Sequence, residues 1–108
     1  MYVENNSVET QNLGGGVTRK VLAYSENLMT VELHFEKGAE GALHNHPHEQ
    51  VGYIVSGALI YKEEGKEDRV LKQGDSYYVP PHVVHGVVTL EETVLLDVFT
   101  PMREDFIK

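Results

Sequence analysis

Short apolar runs separated by turn residues constrain the fold of this chain more than any other feature of its sequence. The clearest run covers residues 28–36, where apolar and polar side chains alternate with the period of a half-buried strand. Its apolar positions are Met29, Val31, Leu33 and Phe35. Turn residues recur about every 8–12 positions, and helical periodicity is almost absent. The pattern predicts an all-β sandwich or barrel.

Eight strands can be bounded from the same pattern, at residues 17–24, 28–36, 51–55, 58–61, 69–72, 76–79, 83–90 and 93–100. The histidine-rich stretch between Gly38 and Gln50 is interpreted as one more strand. The 108 residues are enough for one compact domain. We expect a polar arm over residues 1–16, ending in three glycines, a barrel over 17–100 and a short tail over 101–108.

Charge and residue usage narrow the possible partners and the location. A net charge of −8 without any Lys/Arg cluster argues against a nucleic-acid partner, which would favour a basic face. The absence of cysteine excludes disulfides and thiolate zinc sites. The first residues are acidic and polar, unlike a signal peptide, and no apolar segment approaches membrane-spanning length. We therefore expect a cytoplasmic protein without a membrane partner.

The histidine-rich stretch carries candidate metal ligands. In a strand, His44 and His46 would share one face, with their Cα atoms about 6.6 Å apart, so that both imidazoles could reach one ion. His48 and Gln50 have the same parity along the strand. His85 begins another strand after a proline turn and could complete the site from across a barrel. Gln50 and His48 remain alternatives for one ligand position.

Three further polar side chains are weaker ligand candidates. Glu49 would point to the strand face opposite His44 and therefore ranks below Gln50. His82 lies three residues before His85, so a regular strand would send the two to opposite faces, and we expect His82 at the mouth of the site or in solvent. His34 lies on the polar face of its strand and is expected at the surface.

A single charge interrupts the apolar strand over residues 93–100. Leu95, Asp97 and Phe99 share one face of that strand, and a carboxylate among apolar neighbours acquires a raised pKa that suits acid–base catalysis. Arg103 follows a proline turn and could fold back to bind a substrate carboxylate through its guanidinium. Two alternatives remain open, namely a structural pair between Asp97 and Arg103, or an Asp97 that faces solvent at a sheet edge.

Two spaced motifs resemble those of the cupin superfamily. The first is Gly38-x5-His44-x-His46-x3-Gln50-x6-Gly57, in which Gln50 stands where glutamate is usual. The second is Gly74-x5-Pro80-Pro81-His82-x2-His85, in which His82 replaces the usual glycine, and Thr89 stands for the usual asparagine. The resemblance implies an antiparallel β-barrel of at least six strands around one divalent metal, together with a homodimer. The ligands it implies are His44, His46, Gln50 and His85.

A closer resemblance, to the pectin-degradation protein family KdgF, extends over most of residues 17–106. The segment that discriminates it from cupins in general is Asp97-x-Phe99-x-Pro101-x-Arg103. The family acts on 4,5-unsaturated uronate monosaccharides from pectin or alginate and promotes their conversion to the linear 4-deoxy-5-keto uronate. The resemblance therefore implies an isomerase with an anionic sugar substrate, and it places Asp97, Phe99 and Arg103 in the catalytic wall.

The neutral side chain at Gln50 has a chemical consequence. A glutamate would neutralise one charge of the ion, whereas Gln50 leaves the full +2, which strengthens Lewis acidity and attraction for an anion. Histidine and amide ligands tolerate Zn, Ni, Mn, Fe or Co, so the sequence leaves the metal open. Two other functions are compatible with the cupin motifs, namely a metal-dependent dioxygenase and a non-catalytic module that binds a metal or a sugar.

Overall fold

Ten short β-strands account for most of the chain. The computed structural model describes residues 1–107, and Lys108, the last residue of the predicted tail, lies outside them. The strands are β1 (Gln11–Gly14), β2 (Val17–Tyr24), β3 (Met29–Phe35), β4 (Glu40–His44), β5 (Glu49–Ser56), β6 (Ala58–Glu63), β7 (Arg69–Lys72), β8 (Ser76–Val79), β9 (His85–Thr89) and β10 (Thr93–Thr100). One turn of 3-10 helix covers Asn5–Ser7, and a short helix, α1, covers Glu104–Ile107.

The strands form two antiparallel sheets. The larger sheet has the order β1-β2-β3-β10-β5-β8, and the smaller has the order β4-β9-β6-β7. Every pairing between neighbouring strands is antiparallel. None of the helices within residues 1–107 has the length and apolar character that crossing a membrane requires. The prediction of an all-β, antiparallel fold is confirmed.

The core lies between the two sheets. Along β5, Gln50, Gly52 and Ile54 face inwards and are buried, while the residues between them are exposed, as the period of two requires. Apolar side chains from both sheets form one buried cluster with Ile54. They include Phe35 of β3, Leu59 of β6, Val79 of β8, Val87 of β9 and Leu95 of β10. Each such side chain, when fully buried, stabilises the fold by roughly 1.5–3 kcal/mol.

The eight bounded strand predictions correspond to β2, β3 and β5 to β10, with ends that differ by at most a few residues. The first strand was not predicted, because residues 1–16 were expected to form a polar arm. Gln11–Gly14 instead pairs with β2. The preceding turn also lies on this chain's own sheet, since the side chain of Asn5 bonds to those of Lys20 and Glu32.

The interpretation of residues 38–50 as one strand is wrong. β4 ends at His44 and β5 begins at Glu49, and the residues between them form a loop. His46 therefore does not share a strand face with His44, and the parity that related His44, His46, His48 and Gln50 does not exist. A proline within the loop, Pro47, limits continuation of the strand because it lacks a backbone N–H donor.

Candidate metal centre

Three histidines from three separate segments converge inside the barrel. His44 ends β4, His46 lies in the following loop, and His85 begins β9 directly opposite His44 in the strand register. One ring nitrogen from each lies within 4.8 Å of the other two. His46 and His85 are 5% and 2% exposed, whereas His44 is exposed. The cluster therefore has two buried members and one open to solvent.

Backbone carbonyls orient all three imidazoles. Each ring places Nδ1 against a carbonyl oxygen, which can only accept a hydrogen bond, so we assign the ring proton to Nδ1. The acceptors are the oxygens of Ala42 for His44 (2.8 Å), His48 for His46 (3.1 Å) and Val83 for His85 (2.9 Å). In a neutral ring this assignment leaves the lone pair on Nε2 free, and such backbone contacts are typical of metal-binding histidines.

Gln50 brings a fourth donor atom to the same point. Its Oε1 lies 2.9 Å from Nε2 of His46 and 3.1 Å from Nε2 of His85. Lone pairs on neutral rings would then face the lone pairs of the amide oxygen, an arrangement that a cation between them relieves. Protonation of the ring is a poor solution, because burial lowers the pKa of His46 to about 4. The donor set therefore fits a divalent metal.

His48 is directed away from this cluster. Its Nε2 donates to the carbonyl oxygen of Met102 at 3.2 Å, and its ring centroid lies 5.5 Å from that of His46. Its Nδ1 is buried and has no hydrogen-bond partner within residues 1–107. Burial, together with the charge of Arg103, lowers its pKa. Between the two alternatives for the remaining ligand position, the geometry favours Gln50.

The other polar candidates lie where the sequence placed them. Glu49 is exposed and accepts a hydrogen bond from the hydroxyl of Tyr78 at 2.8 Å. His34 is exposed and lies 2.8 Å from a carboxylate oxygen of Glu32. His82 is exposed with a φ of 67°, and its backbone N–H donates to the carbonyl of His46. That contact ties the loop carrying His46 to the turn before β9.

Asp97 is a buried carboxyl beside the candidate ligands. It is 6% exposed, and Leu95 and Phe99, on the same face of β10, are each 2% exposed. Its Oδ1 has no hydrogen-bond partner among residues 1–107. Burial raises the pKa of Asp97 to about 7, although the amide of Gln50, the charge of Arg103 and the Tyr77 hydroxyl act in the opposite direction. Asp97 does not face solvent at a sheet edge.

The ring of Tyr77 packs over Gly52, the residue paired with Asp97 in the strand register, and the sequence pattern did not predict this contact. Asp97, Gly52 and Tyr77 lie side by side in the register of β10, β5 and β8. A Cβ atom added to Gly52 would lie 2.2 Å from Cζ of Tyr77, so only glycine admits this ring. Tyr61 stacks on it with the ring centroids 4.2 Å apart. A glycine inside a predicted strand was the signal for this close approach.

Arg103 covers the site from the C-terminal side. It lines a cavity of about 220 Å³ together with Asp97, Phe99 and three of the four donor residues, His44, Gln50 and His85. Its Nε and Nη2 donate to the carboxylate of Asp105 at 3.1 and 3.0 Å. Its Cζ lies 5.1 Å from the ring centroid of Phe99. The ion-pair partner of Arg103 is thus Asp105 rather than Asp97, and no pattern in the sequence predicted that pairing.

Comparison with known proteins identifies the family. Residues 31–99 match the family described as Cupin domain. The chain is a cupin. It is 43% identical over 108 residues to the pectin degradation protein KdgF of Dickeya dadantii strain 3937, a match that covers 98% of this chain and 97% of that protein. The resemblance to KdgF inferred from the terminal Asp-x-Phe-x-Pro-x-Arg segment is therefore confirmed.

Solved cupin structures agree over nearly the whole chain. A RmlC-like cupin from Shewanella frigidimarina NCIMB 400 superimposes with a TM-score of 0.92 at 43% identity, covering 97% of this chain and 94% of its own. KdgF from Halomonas sp. superimposes with a TM-score of 0.92 at 38% identity, covering 98% and 97% respectively. This chain and both solved structures therefore share the cupin fold over nearly their whole length.

Proposed function

We propose that this cupin converts 4,5-unsaturated uronate monosaccharides to the linear 4-deoxy-5-keto uronate, as an isomerase in pectin or alginate breakdown. The observation that carries the proposal is the buried carboxyl of Asp97, which shares one cavity with Arg103 and with two residues of the histidine cluster, His44 and His85. The near full-length similarity to KdgF supports it, because that relative is named for pectin degradation.

We assign the metal ligands to His44, His46, Gln50 and His85, in the order of the chain. The support is the convergence of the three imidazoles and the position of the Gln50 oxygen against two of them. A divalent ion held there supplies Lewis acidity toward sugar oxygens and stabilises developing negative charge. Gln50 adds no negative charge to the site. Zn, Ni, Mn, Fe and Co all suit this donor set.

Asp97 is assigned the proton transfers. Opening of the sugar hemiacetal breaks the bond between C1 and the ring oxygen, and the C1 hydroxyl loses a proton as the aldehyde forms. The ring oxygen becomes the hydroxyl of an enol at C5, which then loses its proton while C4 gains one. The product is an isomer of the substrate. A carboxyl with a pKa of about 7 can donate and recover a proton near neutral pH.

Arg103 and Phe99 are assigned to binding. A guanidinium pairs with a carboxylate through two parallel hydrogen bonds, and Arg103 already binds the carboxylate of Asp105 in that way. The substrate carboxylate would take that place. Phe99 packs edge-on against His46, with the ring centroids 5.6 Å apart, and provides an apolar wall for the sugar face. Both residues also limit water around Asp97.

One reaction tests the proposal. Full-length protein supplemented with a divalent metal is mixed with unsaturated galacturonate, and the loss of the conjugated ene-acid absorbance is followed. We expect a rate well above the spontaneous one. A rate equal to the spontaneous one, combined with oxygen uptake on enediol or flavonol-type substrates, would favour the dioxygenase alternative. If the rate equals the spontaneous one and no oxygen is taken up, the result would favour the non-catalytic binding module.

We further propose a homodimer, formed through the outer face of the larger sheet. Three apolar side chains of β5 are 42–44% exposed there, namely Val51, Tyr53 and Val55. Tyr78 of β8 lies beside them and is 51% exposed. A contiguous apolar face of this kind is typical of a protein–protein contact. The cytoplasmic location expected from the sequence stays a prediction.

A further inference from the structure

Two arginines pack on one aromatic ring at the mouth of the cavity. The Cζ of Arg19 lies 3.8 Å and that of Arg103 lies 4.3 Å from the ring centroid of Phe106, and all three residues line the cavity. The pKa of Arg19 is lowered, mainly by burial and further by the charge of Arg103, while the carboxylate of Asp105 acts in the opposite direction. Within residues 1–107, Asp105 pairs with Arg103, and no carboxylate forms an ion pair with Arg19. This mouth therefore carries a surplus of positive charge.

Arg19 is held by its Nε atom and not by its terminal nitrogens. Gln11 of β1 lies opposite Arg19 of β2 in the strand register, and its Oε1 accepts a hydrogen bond of 2.7 Å from Nε of Arg19. The Nε2 of Gln11 donates to the carbonyl of Phe106 at 3.2 Å. Among the described residues, the two Nη groups of Arg19 make no hydrogen bond. Fixed at one side, the guanidinium keeps its outer donors available.

We propose that Arg19 is a second carboxylate-binding residue, which acts with Arg103 to select acidic over neutral sugars. Gln11 is a positioning residue that holds the Arg19 guanidinium at the cavity. The assignment deepens the proposed function and rests on it for the identity of the reacting sugar. Two guanidiniums together provide more N–H donors than the two oxygens of one carboxylate can accept from. The substrate carboxylate can therefore replace that of Asp105 at Arg103 while Arg19 holds the substrate in place.

The competing explanation is that Arg19 only fastens α1 through its contact with Phe106. That role would affect stability and the binding of acidic and neutral sugars alike. A role in carboxylate binding instead affects acidic sugars alone and raises KM more than it lowers kcat, because the contact exists in both the ground state and the transition state. The two explanations are therefore separable by binding selectivity.

The test measures binding of galacturonate and of galactose, its neutral counterpart, to the Zn²⁺-supplemented full chain by NMR titration. We expect Arg19→Gln to weaken galacturonate binding roughly tenfold or more, the usual effect of losing a charge-assisted hydrogen bond. Galactose binding should not change. Arg69→Gln, an exposed arginine of β7, is the matched control and should leave both unchanged. Arg19→Lys, which keeps the charge but loses the planar fork, and Gln11→Ala should give intermediate losses.

Each outcome bears on the proposal. Wild-type affinity for galacturonate in the folded Arg19→Gln or Arg19→Lys variants overturns it, as does a wild-type protein that binds galacturonate no better than galactose. An equal loss for both sugars also overturns it and favours the structural role. If galacturonate binding depends on Arg19 but unsaturated galacturonate is not converted, the proposed reaction fails while the carboxylate site stands.

Discussion

At the scale of single residues, the site combines groups that are costly to bury. Asp97 is enclosed with one carboxylate oxygen lacking a hydrogen-bond partner within residues 1–107. An unpaired polar atom of this kind destabilises a fold by about 1–3 kcal/mol. Structures retain such atoms where function requires them, and the raised pKa of Asp97 is the chemical result.

Removing the Asp97 charge should stabilise the metal-free protein at high pH. The pKa is about 7 in the folded state against an ordinary 3.8, so the folded state binds more protons between these values and its stability falls as pH rises through 7. Asp97→Asn removes this loss. We expect a gain of up to about 4 kcal/mol near pH 8, since each pKa unit corresponds to about 1.4 kcal/mol.

Urea unfolding of the chelator-treated protein at several pH values measures this effect. The difference between variant and wild type should be smallest below about pH 4 and grow towards pH 8. Asp68→Asn, an exposed carboxylate paired with Lys62, serves as the control and should show no such trend. A difference that does not depend on pH would contradict a raised pKa at Asp97.

His82 occupies a backbone conformation that favours glycine. Its φ of 67° costs an L-residue about 1 kcal/mol, and the second cupin motif usually has glycine at this position. We expect His82→Gly to raise the free energy of unfolding by about that amount. His34→Gly, an exposed histidine within β3, is the control and should lower it. Thermal unfolding measures both, and a loss of stability in His82→Gly would contradict the explanation.

At the scale of elements, the positions of most strands could be predicted from the local sequence pattern. The way in which the loops converge could not. The eight bounded strands follow from alternation and turn residues, as in Met29–Phe35. The sequence Gln11-Asn-Leu-Gly14 has no alternation to detect, and it forms β1 because the edge of β2 is available for pairing. His46 joins the cluster through a loop, whose path depends on contacts with the turn at His82 rather than on spacing.

The residues of the candidate site likewise fall into those that the local sequence pattern indicated and those that it did not. His44, Gln50, His85 and Asp97 were found because their residue types or surroundings are unusual within strands. Arg19, Tyr77 and Asp105 were assigned no role, because each acts through a partner that is defined only in the folded chain. Arg19 is held by Gln11, the ring of Tyr77 packs over Gly52, and Asp105 binds Arg103, the residue before α1.

The packing of three strands around Gly52 gives a prediction at this scale. Gly52→Ala places a Cβ 2.2 Å from the Tyr77 ring, so β5 or Tyr77 must move, and we expect a loss of about 1–3 kcal/mol in the free energy of unfolding. Tyr77→Ala removes the clash. A double-mutant cycle should therefore show a much smaller cost for Gly52→Ala in the Tyr77→Ala background. Equal costs in both backgrounds would mean that the contact is not tight.

At the scale of the whole molecule, the fold separates two faces of β5. Inward positions provide a proposed ligand and the space for Tyr77, whereas outward positions form the apolar face. The same alternation thus places the proposed metal site and the proposed dimer contact on opposite sides of one strand. A net charge of −8 does not prevent the binding of an anionic sugar, because Arg19 and Arg103 set the local potential at the cavity.

The dimer contact can be tested by charge. Tyr53→Glu places a like charge on both copies of a two-fold interface, and we expect the variant to sediment as a monomer at concentrations where the wild type is a dimer. Val70→Glu is the control, since Val70 is 64% exposed on β7 of the smaller sheet. A monomeric wild type, or a Tyr53→Glu variant that stays dimeric, would contradict the assignment of this face.

In the proposed reaction, Asp97 carries the proton transfers beside a metal that it does not bind. The most direct test of this role is the rate of loss of the ene-acid absorbance of unsaturated galacturonate for wild type and Asp97→Asn, with the metal content of both measured by mass spectrometry. We predict equal metal content and a rate lower by at least about 100-fold in the variant, the usual contribution of a general acid–base group. Retained activity with normal metal content would contradict the account.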